Sequence, residues 1–164
     1  MTDMTRRTLL GLGAAGLGAA ILGGRWAPAA AQARGRFAVT LTDAQWHARL
    51  SPEAFAVLRR SATERPGSSP LDREHRRGIF HCAGCGQSLF SSATKFDSGT
   101  GWPSFYQPLP HAIGTSVDRS LGEARTEVHC ARCGGHLGHV FNDGPLPTHL
   151  RYCMNGVAMR FVPA

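Results

Sequence analysis

The chain has 164 residues, 42% of them hydrophobic and 18% charged, with a formal net charge of +7. That length bounds the fold to one domain around one core, and no internal repeat, transmembrane run or long low-complexity tract follows residue 33. The basic excess is thin. Arg59–Arg60 and Arg73 with Arg76–Arg77 are its only clusters, which reads as a solvated face and excludes a nucleic-acid-binding stripe.

Residues 1–33 read as an export signal. Arg6–Arg7 form the basic head, residues 9–22 an apolar stretch diluted by glycines, and Ala31-Gln32-Ala33 a small-residue cleavage site. An uncleaved membrane anchor is the alternative, and Arg25 and Pro28 interrupt the apolar run against it. Thr5-Arg6-Arg7-Thr8-Leu9-Leu10 resembles a twin-arginine signal, the kind read by a receptor that exports folded proteins. The expected location is the periplasm, with the membrane met only through this signal. The remaining domain, 34–164, holds 15 basic and 10 acidic residues, a net of +5.

Thr42-Asp43-Ala44-Gln45 is a capping-box pattern that predicts a short helix through Leu50. Ser51-Pro52-Glu53, an N-cap with proline at N1, predicts a second helix to Arg60. Residues 63–72, rich in Pro, Gly and Ser, predict a connecting loop. From Gly78 onward short apolar runs alternate with turn residues, predicting strands at 78–82, 88–90, 127–130, 139–141, 150–154 and 157–161. In the last of these Val157, Met159 and Phe161 alternate with Ala158 and Arg160, one apolar face of a closing strand. The predicted fold is mainly β, with antiparallel sheets and short N-terminal helices.

Four of the five cysteines form two Cys-x-x-Cys knuckles, Cys82/Cys85 and Cys130/Cys133. Each knuckle closes a tight loop that aims two thiolates at one point, and two loops complete the tetrahedron that zinc accepts. Four thiolates leave no open coordination position, so the expected ion, one zinc per chain, is structural. Gly86 and Gly134 follow the knuckles, where a positive φ is expected. Two local disulfides, an iron site or thioredoxin-like dithiols are the rival readings; redox pairs usually open a helix, and helical sequence follows neither knuckle. Loading the metal before export would protect the thiolates from oxidation, which suits a folded-protein export route.

Cys153 is left over, in Arg151-Tyr152-Cys153-Met154-Asn155. A free cysteine is also among the most buried residue types, so a packing role stays open. Arg151 favours the thiolate, and Asn155, two residues on, is expected on the same strand face, offering a donor beside a nucleophile. Gly99-Thr100-Gly101-Trp102 is a Gly-bracketed loop presenting an indole, though a core role is common for any tryptophan. His136 and His139 are spaced by three; a fully thiolate site needs no imidazole, which leaves an acid–base role to one of them.

In chain order, Thr63-Glu64, Cys82-x-x-Cys85-Gly86, Lys95-Phe96-Asp97-Ser98-Gly99, Gly101-Trp102-Pro103-Ser104-Phe105, Glu127-Val128-x-Cys130, His136-Leu137-Gly138-His139-Val140-Phe141, Asp143-Gly144-Pro145 and Arg151-Tyr152-Cys153-x-Asn155 resemble the B family of methionine sulfoxide reductases. The resemblance runs from about Leu41 to Phe161. It implies two antiparallel sheets, a structural zinc on Cys82, Cys85, Cys130 and Cys133, and reduction of methionine-R-sulfoxide in oxidised proteins. It also implies Cys153 as nucleophile, His139 and Asn155 in the catalytic pocket, Trp102 against the sulfoxide methyl, and His136 supporting substrate binding.

The chemistry suits the residue types: a sulfoxide sulfur accepts a thiolate only when its oxygen is protonated or hydrogen-bonded, and the oxygen then leaves on the cysteine as sulfenic acid. Many members of the family carry a resolving cysteine where this chain has Thr100. The expectation is therefore a one-cysteine cycle, closed by a thioredoxin-like protein or a small thiol. Gly156 also stands where relatives often have serine. The competing class is a zinc-pinned interaction module in which Cys153 is inert, and an iron electron carrier is a third.

Overall fold

The structure, a computed structural model, describes residues 37–164. The expected export signal lies outside the described residues. Thr42 opens α1 (Asp43–His47) with both halves of the capping box: Gln45 N–H donates to Thr42 Oγ1, and Thr42 N–H donates to Gln45 Oε1. The helix stops short of Leu50, giving way to a turn in which Arg49 N–H donates only three residues back, to the Trp46 carbonyl. Ser51 caps α2 (Pro52–Arg60), which ends on Ser61 in the left-handed region at φ 56°. Trp46, Phe55 and Leu58 are the apolar anchors these helices bury.

Two antiparallel sheets follow, as the sequence led us to expect. The smaller contains β1 (Gly78–Cys82), β2 (Ser88–Ser91) and the closing strand. The larger takes β3 (Lys95–Phe96), β4 (Ser104–Phe105), β5 (Ile113–Asp118), β6 (Arg125–Cys130), β7 (His136–Phe141) and β8 (Arg151–Met154) in the order β3-β4-β8-β7-β6-β5. The closing strand, β9 (Met159–Pro163), pairs with β1 in the order β2-β1-β9. Phe80 and Phe90 of the small sheet meet Phe105 of the large one, edge to face at 4.9 Å and stacked at 4.4 Å. These aromatic contacts join the two sheets in one core with Leu89, Val128, Leu137 and Met154.

Three details depart from the sequence reading. Residues 156–158 form a 3-10 turn, so β9 begins at Met159, not Val157. The turn buries Ala158, which the alternation had placed with the exposed residues. β3 and β4, two residues each, and β5 were not anticipated. β5 carries no buried residue, and its Thr115, Ser116 and Val117 are exposed, so no apolar alternation marks it.

Candidate active site and metal centre

Cys82 ends β1 and Cys130 ends β6, so the two knuckles hang from different sheets. The turns after them tighten where Gly86 and Gly134, at φ 76° and 65°, donate their N–H groups to the carbonyls of Cys82 and Cys130. All four sulfurs lie within 4.8 Å of one another, with Cys82 to Cys133 at 3.8 Å and Cys85 to Cys130 at 3.5 Å. Sulfurs at about 2.3 Å from a tetrahedral zinc are about 3.8 Å apart, so the cluster has the dimensions of a metal site. The four cysteines are free, and each sulfur has a neighbour from the other knuckle, the arrangement of one four-sulfur site and not of two local disulfides. Four thiols so placed can hold one metal ion.

Cys153 stands apart from that cluster. It lies on β8, half-buried, in a cavity of about 140 Å³ lined by Trp102, Arg125, Gly138, His139 and Asn155 among others. A larger recess of about 450 Å³ between α2 and residues 62–70 shares Thr63 with it but contains neither cysteine nor histidine. Three neighbouring strands bring the site together. β7 pairs with β8 so that His139 faces Cys153, and β4 pairs with β8 so that Ser104 faces it from the other side. Gly138 permits the close approach, since a Cβ there would come within 2.1 Å of the Cys153 carbonyl oxygen.

Each expected site residue can be placed. The Trp102 indole N–H donates to the Glu64 carbonyl at 3.2 Å, which fixes its ring on the cavity wall. Asn155 is not on the strand with Cys153, because β8 ends at Met154. Its side chain is almost fully buried and spent on backbone: Nδ2 donates to the Leu137 carbonyl and Oδ1 accepts from Glu64 N–H. His136 does not line the cavity. It is 2% exposed and stands behind His139, the two rings edge to face at 5.4 Å. Thr100 Oγ1 is 4.0 Å from the Cys153 sulfur and 2.8 Å from Ser98 Oγ, which is 2.8 Å from Ser104 Oγ.

Electrostatics assign the protons. His139 Nε2 lies 2.8 Å from Asp118 Oδ2, which also accepts from Arg125 at 2.6 Å. Ser120, then His139 and Arg125, hold the Asp118 carboxyl well below the usual range. An ionised carboxylate only accepts, so His139 Nε2 carries the proton. Burial pushes the His139 imidazole below its ordinary value despite Asp118, so the ring is neutral at pH 7 and Nδ1 holds a lone pair. A parallel pair stands behind it: His136 Nδ1 is 2.8 Å from Glu127 Oε1, and His129 and His136 hold the Glu127 carboxyl far down. At Cys153 burial raises the thiol value, outweighing Arg151 and Thr100, which lower it. Asp118 and Arg125 were absent from the sequence reading, because a cross-strand Asp–Arg pair bracketing a turn is an ordinary feature of hairpins.

Fold and site together define a β domain that keeps one reactive sulfur in a cavity, apart from four sulfurs gathered for a metal. The SelR domain family matches residues 50–163. A protein of Agrobacterium fabrum named peptide methionine sulfoxide reductase MsrB is 50% identical over 126 residues, 76% of this chain and 93% of its own length. Proteins of the same name from Bradyrhizobium diazoefficiens and Leifsonia xyli are 54% and 49% identical, covering 91% and 95% of their lengths and 76% and 79% of this chain. The chain belongs to the MsrB family of peptide methionine sulfoxide reductases.

Proposed function

We propose that this chain reduces methionine-R-sulfoxide, in oxidised proteins, to methionine, with Cys153 as the nucleophile. The observation that carries the reading is the cavity in which Cys153 lies opposite His139 and beside Trp102, in a chain of this family. The resting Cys153 is a thiol, and the neutral His139 has a lone pair at Nδ1 to receive its proton. The thiolate attacks the sulfoxide sulfur while the imidazolium, steadied by Asp118, returns the proton to the sulfoxide oxygen. The protonated oxygen then passes from the methionine sulfur to the Cys153 sulfur as the bond formed between the two sulfurs breaks, which releases methionine and leaves Cys153 as a sulfenic acid, the cysteine sulfur oxidised and the methionine sulfur reduced by two electrons. Trp102 supplies the apolar wall for the S-methyl, which lets the site separate one epimer from the other. His136 and Asn155 act by holding His139 and the residue 63–64 segment in place.

With Thr100 where a second thiol would stand, an external thiol closes the cycle. A small thiol or a thioredoxin-like protein attacks the sulfenic acid, releasing water and leaving a mixed disulfide, and a second thiol frees Cys153. The four knuckle cysteines hold one zinc, which when bound supplies folding free energy and no reactive position. Residues 1–33 direct export by the twin-arginine route, so envelope proteins are the clients.

A reductase assay on the two separated sulfoxide epimers, with dithiothreitol as sole reductant, tests the assignment. Methionine should form from the R epimer alone, and Cys153→Ser should abolish it while keeping metal and melting temperature. Equal rates on both epimers, or an active Cys153→Ser, would refute it.

A further inference from the structure

We infer that Glu64 is a positioning residue for the reaction proposed above, on which this inference rests: it ties the indole wall of the cavity to the turn that follows the nucleophile's strand. The 3-10 turn at residues 156–158 begins three residues after Cys153, and its first N–H groups have no partner within the turn. Asn155 occupies the capping position but makes no side-chain cap bond, its amide being spent on Leu137 and Glu64 backbone. The cap comes instead from a residue 92 positions away. Glu64 Oε1 accepts from Gly156 N–H at 2.6 Å and Oε2 from Val157 N–H at 2.8 Å, both charge-assisted. Through its backbone the same residue donates to Asn155 Oδ1 at 2.9 Å and accepts from the Trp102 indole at 3.2 Å.

One residue thus grips the chain beyond Cys153 with its carboxylate and the Trp102 ring with its carbonyl. Nothing else described fixes the indole N–H, so the distance between the indole face and the Cys153 sulfur depends on where Glu64 sits. The fit of the S-methyl, and with it the choice between epimers, depends on that distance. Without the carboxylate, two amides lose their acceptors, and the Glu64 segment keeps only its backbone bond to Asn155 as a tie to the turn.

Glu64→Ala and Glu64→Gln, made in the whole chain, separate positioning from general stability. With dithiothreitol and both epimers of N-acetylmethionine sulfoxide, Glu64→Ala should lose about 10- to 100-fold in kcat and narrow the preference for the R epimer. Glu64→Gln, which keeps one acceptor oxygen, should recover part of both. In the same variants hydrogen exchange at the Trp102 indole N–H, followed by NMR, should quicken about tenfold for alanine while the Trp46 indole is unchanged. A folded Glu64→Ala with wild-type kcat, epimer preference and Trp102 exchange would overturn the inference; if alanine does not fold, the same readouts on glutamine decide. Should the wild type reduce neither epimer, the reductase reading fails, and exchange at Trp102 still decides whether Glu64 holds the indole: quickened supports it, unchanged overturns it.

Discussion

Arg151 and Cys153 lie two apart on β8, so their side chains share a strand face, and the guanidinium favours the thiolate. Burial opposes it and prevails, and Arg151 also serves other partners: Nε and a terminal nitrogen grip Asp143 at 2.9 and 2.8 Å, and the guanidinium lies over the Phe141 ring at 4.5 Å. The free enzyme's Cys153 should therefore react with iodoacetamide along a pH profile whose midpoint lies above that of an exposed, unperturbed cysteine. Removing the cation disfavours the charged form, so Arg151→Met should move that midpoint higher and slow alkylation at pH 8. A midpoint below that of an exposed cysteine, or a downward shift in the variant, would contradict that balance. Gly156 has an equally local cause. A Cβ there would fall 2.0 Å from Ser69 Oγ, so serine at 156 must displace Ser69 or the turn. Gly156→Ser should cost about 1–3 kcal/mol in denaturant unfolding, and adding Ser69→Gly should restore most of it.

Among the elements, those that can be read from the chain are those whose residues act locally. Thr42 with Gln45 and Ser51 with Pro52 mark both helix starts, because caps involve neighbours three residues apart. The knuckles are legible for the same reason. β5 was missed because an edge strand with no fully buried residue shows no apolar periodicity, and β3 and β4 because two residues cannot establish one. Cys153, Trp102 and His139 were found by residue type and resemblance, and the structure adds how they meet: strands β4, β8 and β7 lie side by side although distant in sequence. Asp118, Arg125 and the bonds of Glu64 were not legible as a site, since each gains its part only from pairing over long separations. The position of Asn155 shows the limit of extrapolating a strand: alternation places it beside Cys153, but the chain leaves the sheet one residue earlier.

For the whole molecule, the four-thiol cluster joins the end of β1 in one sheet to the end of β6 in the other, and the chain between them builds β2 to β6. An ion there fixes the two sheets together across a long loop. Structural zinc contributes about 10–16 kcal/mol in small domains, comparable with the entire stability of about 5–15 kcal/mol of an ordinary fold. Cys130→Ser should accordingly lose metal and cooperative unfolding together, measured by metal content and thermal melting; a variant that lost metal and melted as the wild type would remove the staple. On the proposed mechanism each chain spends one sulfur, Cys153, on one sulfoxide. Mixing reduced, metal-loaded protein with methionine-R-sulfoxide and no reductant, then weighing the intact chain and its peptides by mass spectrometry, tests it most directly. The expected result is one methionine released per chain and one oxygen gained at Cys153, trappable by dimedone. An unmodified Cys153, or a disulfide linking it to Cys82, Cys85, Cys130 or Cys133, would contradict it.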